Sequence, residues 1–448
     1  MKRICVILFF FFSIFFVFDN VRAAEPKQGE RFVPLFNGTN LDGWSNVNGY
    51  PETWTARDGM IVCSGIPTGI LRTDKPYENF ILELDWLHVN KGGNGGVFIY
   101  SDALPARGAP FTRSIQIQVK EGNGGDIYPI HGATMSPDKP HPEGWARSLP
   151  SEDATKPAGN WNHYRIESRD GMVSLTVNGK LVTRGFNCNP RKGYICLEAE
   201  DKSEVHYRNI QICELSSSNP SADAVASLDQ GFRALSGGKK LSSWKNPSKN
   251  WHAEDWILYY DGQGAAGGED PFLWSTEEFN NFILIADWRF PAKPELEQIP
   301  VILPNGSGMA DSSGQPLTAS VLSAGQGGIC LRGNPKASIN LWNWPIGSGG
   351  ILGYMTDASL SEELRKAVTP IVNADNYVGQ WNRVEITVIE SQVNVTVNGK
   401  TAIQNAWLQG IPQRGPIALQ HFGKLLLFTN VFVKELSWSE IFGSMKQF

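Results

Sequence analysis

The sequence predicts an all-β protein built as two tandem β-sandwiches. Three observations predict it: the chain repeats itself once, its apolar residues alternate with polar ones over short runs closed by Asn-Gly turns, and helical periodicity is nearly absent. The repeat is read from motifs that recur in the same order. Asn79-Phe80-Ile81-Leu82 with Asp85-Trp86 returns as Asn281-Phe282-Ile283-Leu284 with Asp287-Trp288, and Gly159-Asn160-Trp161-Asn162 is answered by Gly379-Gln380-Trp381-Asn382. Arg208-Asn209-Ile210 recurs as Thr429-Asn430-Val431. A unit of ~200 residues is too long for a solenoid repeat and suits a domain.

Within each unit the strands follow from period-two patterning. Val173, Leu175 and Val177 alternate with Ser174 and Thr176, as expected of a half-buried strand. Asn178-Gly179 and Asn398-Gly399 then supply the positive φ angles of tight hairpins. Further strands are expected over Phe80 to Trp86, Val97 to Tyr100, Ile115 to Val119 and Tyr194 to Leu197. The one persuasive helix runs from Leu360 to Val368, with Ser359 and Glu362 as a capping box and Pro370 as the stop. The divisions expected are residues 1–23 as an export signal, 31–215 as the first sandwich, 216–230 as a small polar linker, and 231–437 as the second sandwich.

The signal reading rests on Lys2 and Arg3, the apolar run from Ile4 to Phe18, and Val21-Arg22-Ala23 before the expected cut. It implies a secreted or periplasmic protein with no membrane span after cleavage, since this run is short of the ~20 residues that cross a bilayer. A formal net charge of -5, with no basic stripe, argues against nucleic acid as a partner. Five cysteines follow the signal: Cys63, Cys188, Cys196, Cys213 and Cys330. Their spacings match no zinc site, and a structural disulfide and buried thiols are both open readings.

Candidate chemistry is concentrated in the first unit. Alternation along Ser114 to Glu121 places Gln116, Gln118 and Lys120 on one face and Ile115, Ile117 and Val119 on the other. That row makes either a hydroxyl-binding surface or a solvated face. A Gly-rich loop leads to Tyr128-Pro129-Ile130-His131-Gly132, where His131 suits a base near neutral pH or simply bonds its own loop. Leu197-Glu198-Ala199-Glu200 sets two carboxylates on one strand face, and the second unit has Leu419-Gln420-His421-Phe422 at this place. Among 15 tryptophans, Trp86 and Trp288 are expected in cores. Trp342 and Trp344 are candidates for sugar platforms. No Ser-His-Asp, zinc or nucleotide signature is present, and no metal ligand or cofactor is identified.

Phe36-Asn37-Gly38, Leu41-Asp42-Gly43-Trp44, Asn94-Gly95-Gly96-Val97-Phe98, Gly159-Asn160-Trp161-Asn162, Val177-Asn178-Gly179 and Arg208-Asn209-Ile210, in this order, resemble the 3-keto-disaccharide hydrolase domain family. The resemblance covers the first unit end to end and the second most strongly from Ser338 to Leu436. It implies two tandem concanavalin A-like jelly-roll β-sandwiches acting on carbohydrate, and structural calcium is common in such sandwiches, although no dense acidic cluster supports it here. It also implies glycosides oxidised at C3, cleaved by C2 proton abstraction and elimination, then hydration. On that reading His131 and a carboxylate among Glu121, Glu198 and Glu200 share the acid and base roles, and Lys120 or Arg147 stabilises the enolate. Gln116, Gln118 and Asn94 would hold hydroxyls, with Trp342, Trp344 and His421 as binding residues of the second unit. In that unit Gly350 stands where the family motif often has Glu, so its activity is in doubt. The alternative is a lectin-like protein that binds carbohydrate without cleaving it.

Overall fold

In both halves the period-two apolar residues line up on facing sheets and close a core, so each half is an antiparallel β-sandwich of the concanavalin A-like jelly-roll type. The computed structural model describes residues 31–444 except 201, 230, 236–240, 246 and 265–269; the expected export signal lies outside the described residues. No helix among the described residues is long and apolar enough to cross a membrane.

The first module has a front sheet in the order Trp44–Val47, Gly69–Thr73, Tyr194–Ala199, Asn94–Ser101, Ser114–Lys120, Ile127–Ile130. Its back sheet is centred on Asn162–Arg169, Phe80–His88 and Val205–Glu214. The second module repeats this with a front sheet ordered Trp244–Lys245, Phe272–Phe279, Gly415–His421, Gln326–Leu331, Asn334–Trp342, and a back sheet centred on Asn382–Ile389, Phe282–Arg289 and Leu426–Glu435. The Asn-Gly hairpins form as expected, with φ of 48° and 86° at Asn178 and Gly179 and 49° and 76° at Asn398 and Gly399. Trp86 and Trp288 are core residues.

The modules pack front against back. Ile285 and Phe432, on the outer face of the second module's back sheet, meet Val47, Ile70, Phe98, Tyr194 and Cys196 on the first module's front sheet. A turn of the first module also docks into the second: Gly108 donates its N–H to Asp287 at 2.9 Å, and Arg383 donates to the Pro105 carbonyl at 2.9 Å. The linker is itself anchored, since Arg72 donates to Asp229 at 2.6 Å and its guanidinium lies 4.3 Å from the centre of the Tyr194 ring.

One expectation is corrected and one open alternative is decided. The helix spans Glu362–Ala367 with Ser361, not Ser359, accepting the capping bond from the Leu364 N–H at 3.2 Å; the Ser359 hydroxyl is taken by Asp357. All five described cysteines are buried and unpaired, so no disulfide joins them.

Candidate active site on the first front sheet

Two residues along each strand divide the front face of the first module. On Tyr194–Ala199 and Asn94–Ser101 the covered, apolar part ends at Cys196 and Phe98, and a polar part begins at Glu198 and Gly96. Register explains what assembles there. Gly96 is paired with Gln118 across one ladder, Leu197 with Val97 across the other, so Glu198, Gln118 and Gln116 converge over Gly96. A Cβ on Gly96 would sit 2.4 Å from Glu198 Oε2 and 2.9 Å from Gln116 Nε2. The absence of a side chain at this one position therefore makes room for the two that meet above it.

Glu198 is 1 % exposed, and Gln116 Nε2 donates to its Oε2 at 3.0 Å. Burial, then the neighbouring charge of Glu200 and a hydrogen bond between the two carboxyls, push the Glu198 carboxyl well above the usual carboxylate range. Two carboxyls this close hold one proton between them, because ionising both would place like charges together in a poorly solvated site. Glu200, for its part, accepts from Asn94 Nδ2 at 2.6 Å, a bond that favours its ionised form. The arrangement separates the pair into one proton holder and one proton acceptor.

A relay of polar groups fixes the acceptor. Gln118 Nε2 donates to Asn94 Oδ1 at 2.7 Å, and Gln118 Oε1 accepts from the Tyr128 hydroxyl. The Arg147 guanidinium lies 4.0 Å from the centre of the Tyr128 ring and donates to Asp126 Oδ2 at 3.0 Å. Burial raises the pKa of Asp126 despite the opposing pull of Arg147. Asp126 and Tyr128 were not among the sequence candidates. Their signal was the short segment after Gly125, which pairs with the Gln116–Gln118 strand as its next neighbour. Lys120 shares the ladder place of Asn94 and is exposed, with no ion pair among the described residues.

The structure thus brings together Gln116, Gln118, Asn94, Glu198, Glu200 and Arg147, with Lys120 at the edge. It does not bring the others. His131 takes a left-handed conformation, φ 50°, in the turn that leaves Ile127–Ile130, beyond the end of the strand opposite to Gln118. Its ring lies against Phe111, with 6.4 Å between centroids, and no hydrogen bond joins it to a carboxylate among the described residues. Glu121 is occupied by backbone, accepting from the N–H groups of Gly92 and Ala158. Those two bonds hold its carboxyl below the usual range, which suits a loop staple and not a proton donor.

In the second module Trp342 and Trp344 are not sugar platforms. Both are buried, their indole N–H groups donating to Ser323 at 3.2 Å and to the Pro300 carbonyl at 3.0 Å. His421 faces the core instead of the front face, stacked 3.6 Å from Tyr260. Alternation accounts for this: His421 lies one residue beyond Gln420, which has the ladder place of Glu198. Among the described residues no group of three His, Cys, Asp or Glu side chains is placed to hold a metal ion.

The chain belongs to the family of 3-keto-alpha-glucoside-1,2-lyase-like domains, which it matches twice, over residues 31–213 and 231–434. Solved structures similar to one module at a time include two Parabacteroides distasonis ATCC 8503 proteins described as glycosyl hydrolases. One is 26% identical, covering 41% of this chain and 100% of that one at a TM-score of 0.32; the other is 22% identical, covering 41% and 94% at 0.34. A β-glucanase of Bacillus licheniformis is 14% identical, covering 43% and 100% at 0.29. No curated protein matches the chain. Family membership makes this a carbohydrate-active protein.

Proposed function

We propose that the front face of the first module, exported from the cell on the strength of the N-terminal apolar run, cleaves 3-keto glucosides by elimination. The observation that carries this reading is the Glu198–Glu200 pair, in which burial and the neighbouring Glu200 push the Glu198 carboxyl well above the usual carboxylate range. A ketone at C3 acidifies the proton on C2. Glu200, supported by Asn94, removes that proton; the C2–H electrons form the C2–C3 double bond of an enolate whose charge rests on the C3 oxygen. When the carbonyl re-forms, the electrons move to make the C1–C2 double bond, and the bond from C1 to the leaving oxygen breaks. Glu198 protonates that oxygen. The pair ends with the one proton it began with, now on Glu200. Addition of water at C1 and return of a proton to C2 would complete hydrolysis.

Among the described residues Lys120 is the cation left to face the enolate oxygen, since Arg147 is engaged by Asp126. Such a charge stabilises what develops only in the transition state. An ordinary retaining glycosidase requires a carboxylate nucleophile ~5 Å from its acid across the bond; the elimination route needs only an acid and a base.

The test is to follow leaving-group release from a 3-keto glucoside and from its unoxidised parent, with wild type, Glu198→Gln and Glu200→Gln. Cleavage of the keto form alone, lost in both variants, is the expected result. Cleavage of the parent as well would make this an ordinary glycosidase. Binding without release from either would leave the lectin-like alternative.

A further inference from the structure

The second module's front sheet carries a cavity of 310 Å³ at the place that corresponds to the carboxylate pair. The ladders give the correspondence residue by residue. Gly328 pairs with Gln420 and Asn340, as Gly96 pairs with Gln118 beside Glu198. Gln420 therefore stands for Glu198, Asn340 for Gln118, and Phe422 for Glu200. Asn340 exchanges backbone bonds with Gly349 and Gly350 as Gln118 does with Gly125 and Asp126, so Gly350 stands for Asp126 and Leu352 for Tyr128. Glu198, Glu200, Asp126 and Tyr128 of the first site are all replaced by groups that do not ionise, and none of the residues lining the cavity is charged.

What remains is built for recognition. Gln326 Nε2 donates to Asn340 Oδ1 at 3.1 Å, and Ser338 Oγ donates to Gln420 Oε1 at 2.7 Å. These bonds orient the amides while leaving Asn340 Nδ2, Gln420 Nε2 and Gln326 Oε1 without a partner among the described residues. The equivalent Gln118 has both ends of its amide occupied. The two amide donors line this cavity and suit vicinal hydroxyls. Phe422, 47 % exposed, offers its ring at the mouth, and a second cavity of 540 Å³ begins on its other side. The first hollow is uncharged and the second has Lys293, Glu295, Glu297 and Lys424 in its wall; the aromatic face between them fits the apolar C–H face of a pyranose.

We propose that this cavity is a second carbohydrate site, which holds an uncharged oligosaccharide of at least two sugar units across Phe422 and lacks the carboxylate pair of the first module. The proposal rests on the carbohydrate reading of the family but not on the elimination chemistry. It gives the two modules different work on one glycan: the second retains the chain that the first acts upon.

Calorimetry on the full chain with unoxidised maltose, trehalose and maltotriose tests it. Saturable binding is expected, strongest for the trisaccharide, and weakened about tenfold by Phe422→Ala and several-fold by Gln420→Ala. Phe422 is exposed enough for its variant to fold, and circular dichroism checks this. Two results overturn the proposal: no saturable binding of any of the three sugars up to ~10 mM, or binding that keeps its full strength in Phe422→Ala. Neither bears on turnover of a 3-keto glucoside, which reads the first module separately.

Discussion

The two front faces share a frame and differ in chemistry. Gly96 and Gly328 do the same thing, since a Cβ on Gly328 would lie 2.5 Å from Ser338 Oγ and 2.8 Å from Gln420 Oε1, just as one on Gly96 would strike Gln116 and Glu198. Asn94 with Gln118 and Gln326 with Asn340 are bonded at the same two places across the same two strands, with the donor on the opposite strand in the second module. On that common frame the first module places Glu198, Glu200, Asp126 and Tyr128, and the second places Gln420, Phe422, Gly350 and Leu352. What keeps the sandwich a sandwich is thus separable from what makes it reactive: a β-ladder fixes positions, and side chains at four of them decide whether a proton can be moved.

Glu198→Gln converts the first face toward the second at its most reactive position and has the largest expected effect. Turnover of a 3-keto glucoside should fall by about 10²- to 10⁴-fold. The same variant should gain stability at neutral pH. Glu198 binds its proton more tightly folded than unfolded, so its contribution is fully present below the ordinary glutamate range and is lost as pH rises through its raised value. Wild-type stability should therefore decline over that window, and the Gln variant should lack this decline. Activity that depends on Glu198 as an acid should disappear over the same rise. Unfolding curves and pH–rate profiles of the two proteins check both. A Gln variant with wild-type turnover would break the contrast between the faces.

The next effect tests the back faces, where the modules differ in the opposite direction. Asp287 is fully buried and accepts from Gly108, Arg383 and Asn430; its counterpart Asp85 accepts from His163, Arg208 and Asn209 with no docked turn above it. Asp287→Ala removes the acceptor shared by the Gly108 N–H, the partly exposed Arg383 and the buried Asn430 and should cost about 1–3 kcal/mol of stability. Asp85→Ala should cost less, and denaturant unfolding of the two variants compares them directly. Gly108→Ala attacks the same joint from the other side, because φ is +64° and a Cβ would lie 2.3 Å from the Trp381 ring. A loss of about 1–3 kcal/mol is expected. Since this turn connects the strands that carry Asn94 and Gln116, loosening it should also raise KM for the 3-keto substrate.

How much of this was legible depends on whether a feature is periodic. Alternation along Val173 to Val177 and Asn-Gly turns state the strand and its hairpin locally, and repeated motifs state the duplication without any structure. Glu198, Glu200, Gln116 and Gln118 were legible because alternation fixes which face a strand residue occupies. His421 was misplaced by one residue on its strand, and that single step moves a side chain from the surface to the core. Trp342 and Trp344 mislead because indole burial depends on partners such as Ser323 and the Pro300 carbonyl, far away in sequence. His131 and Glu121 lie in turns, where the chain direction that decides reach is set by contacts with Phe111, Gly92 and Ala158. The docking of Gly108 on Asp287 had no sequence signature at all, since it joins residues of different modules.

The smallest effect isolates how the acceptor is held. The Tyr128 hydroxyl bonds Gln118, which bonds Asn94, which bonds Glu200; Leu352 has this place in the second module, where the matching amide is left open. Tyr128→Phe removes one neutral hydrogen bond worth about 0.5–1.5 kcal/mol. If that bond orients Glu200 only through two intervening amides, kcat for the 3-keto glucoside should fall about two- to tenfold with KM nearly unchanged. A Tyr128 that instead touches substrate would show the loss in KM, and Tyr128→Leu would then be much worse than Tyr128→Phe because the ring beneath Arg147 goes as well. Equal kcat losses in Phe and Leu would assign the effect to the hydroxyl alone, and so to the relay that separates a reactive front face from one built only to hold sugar.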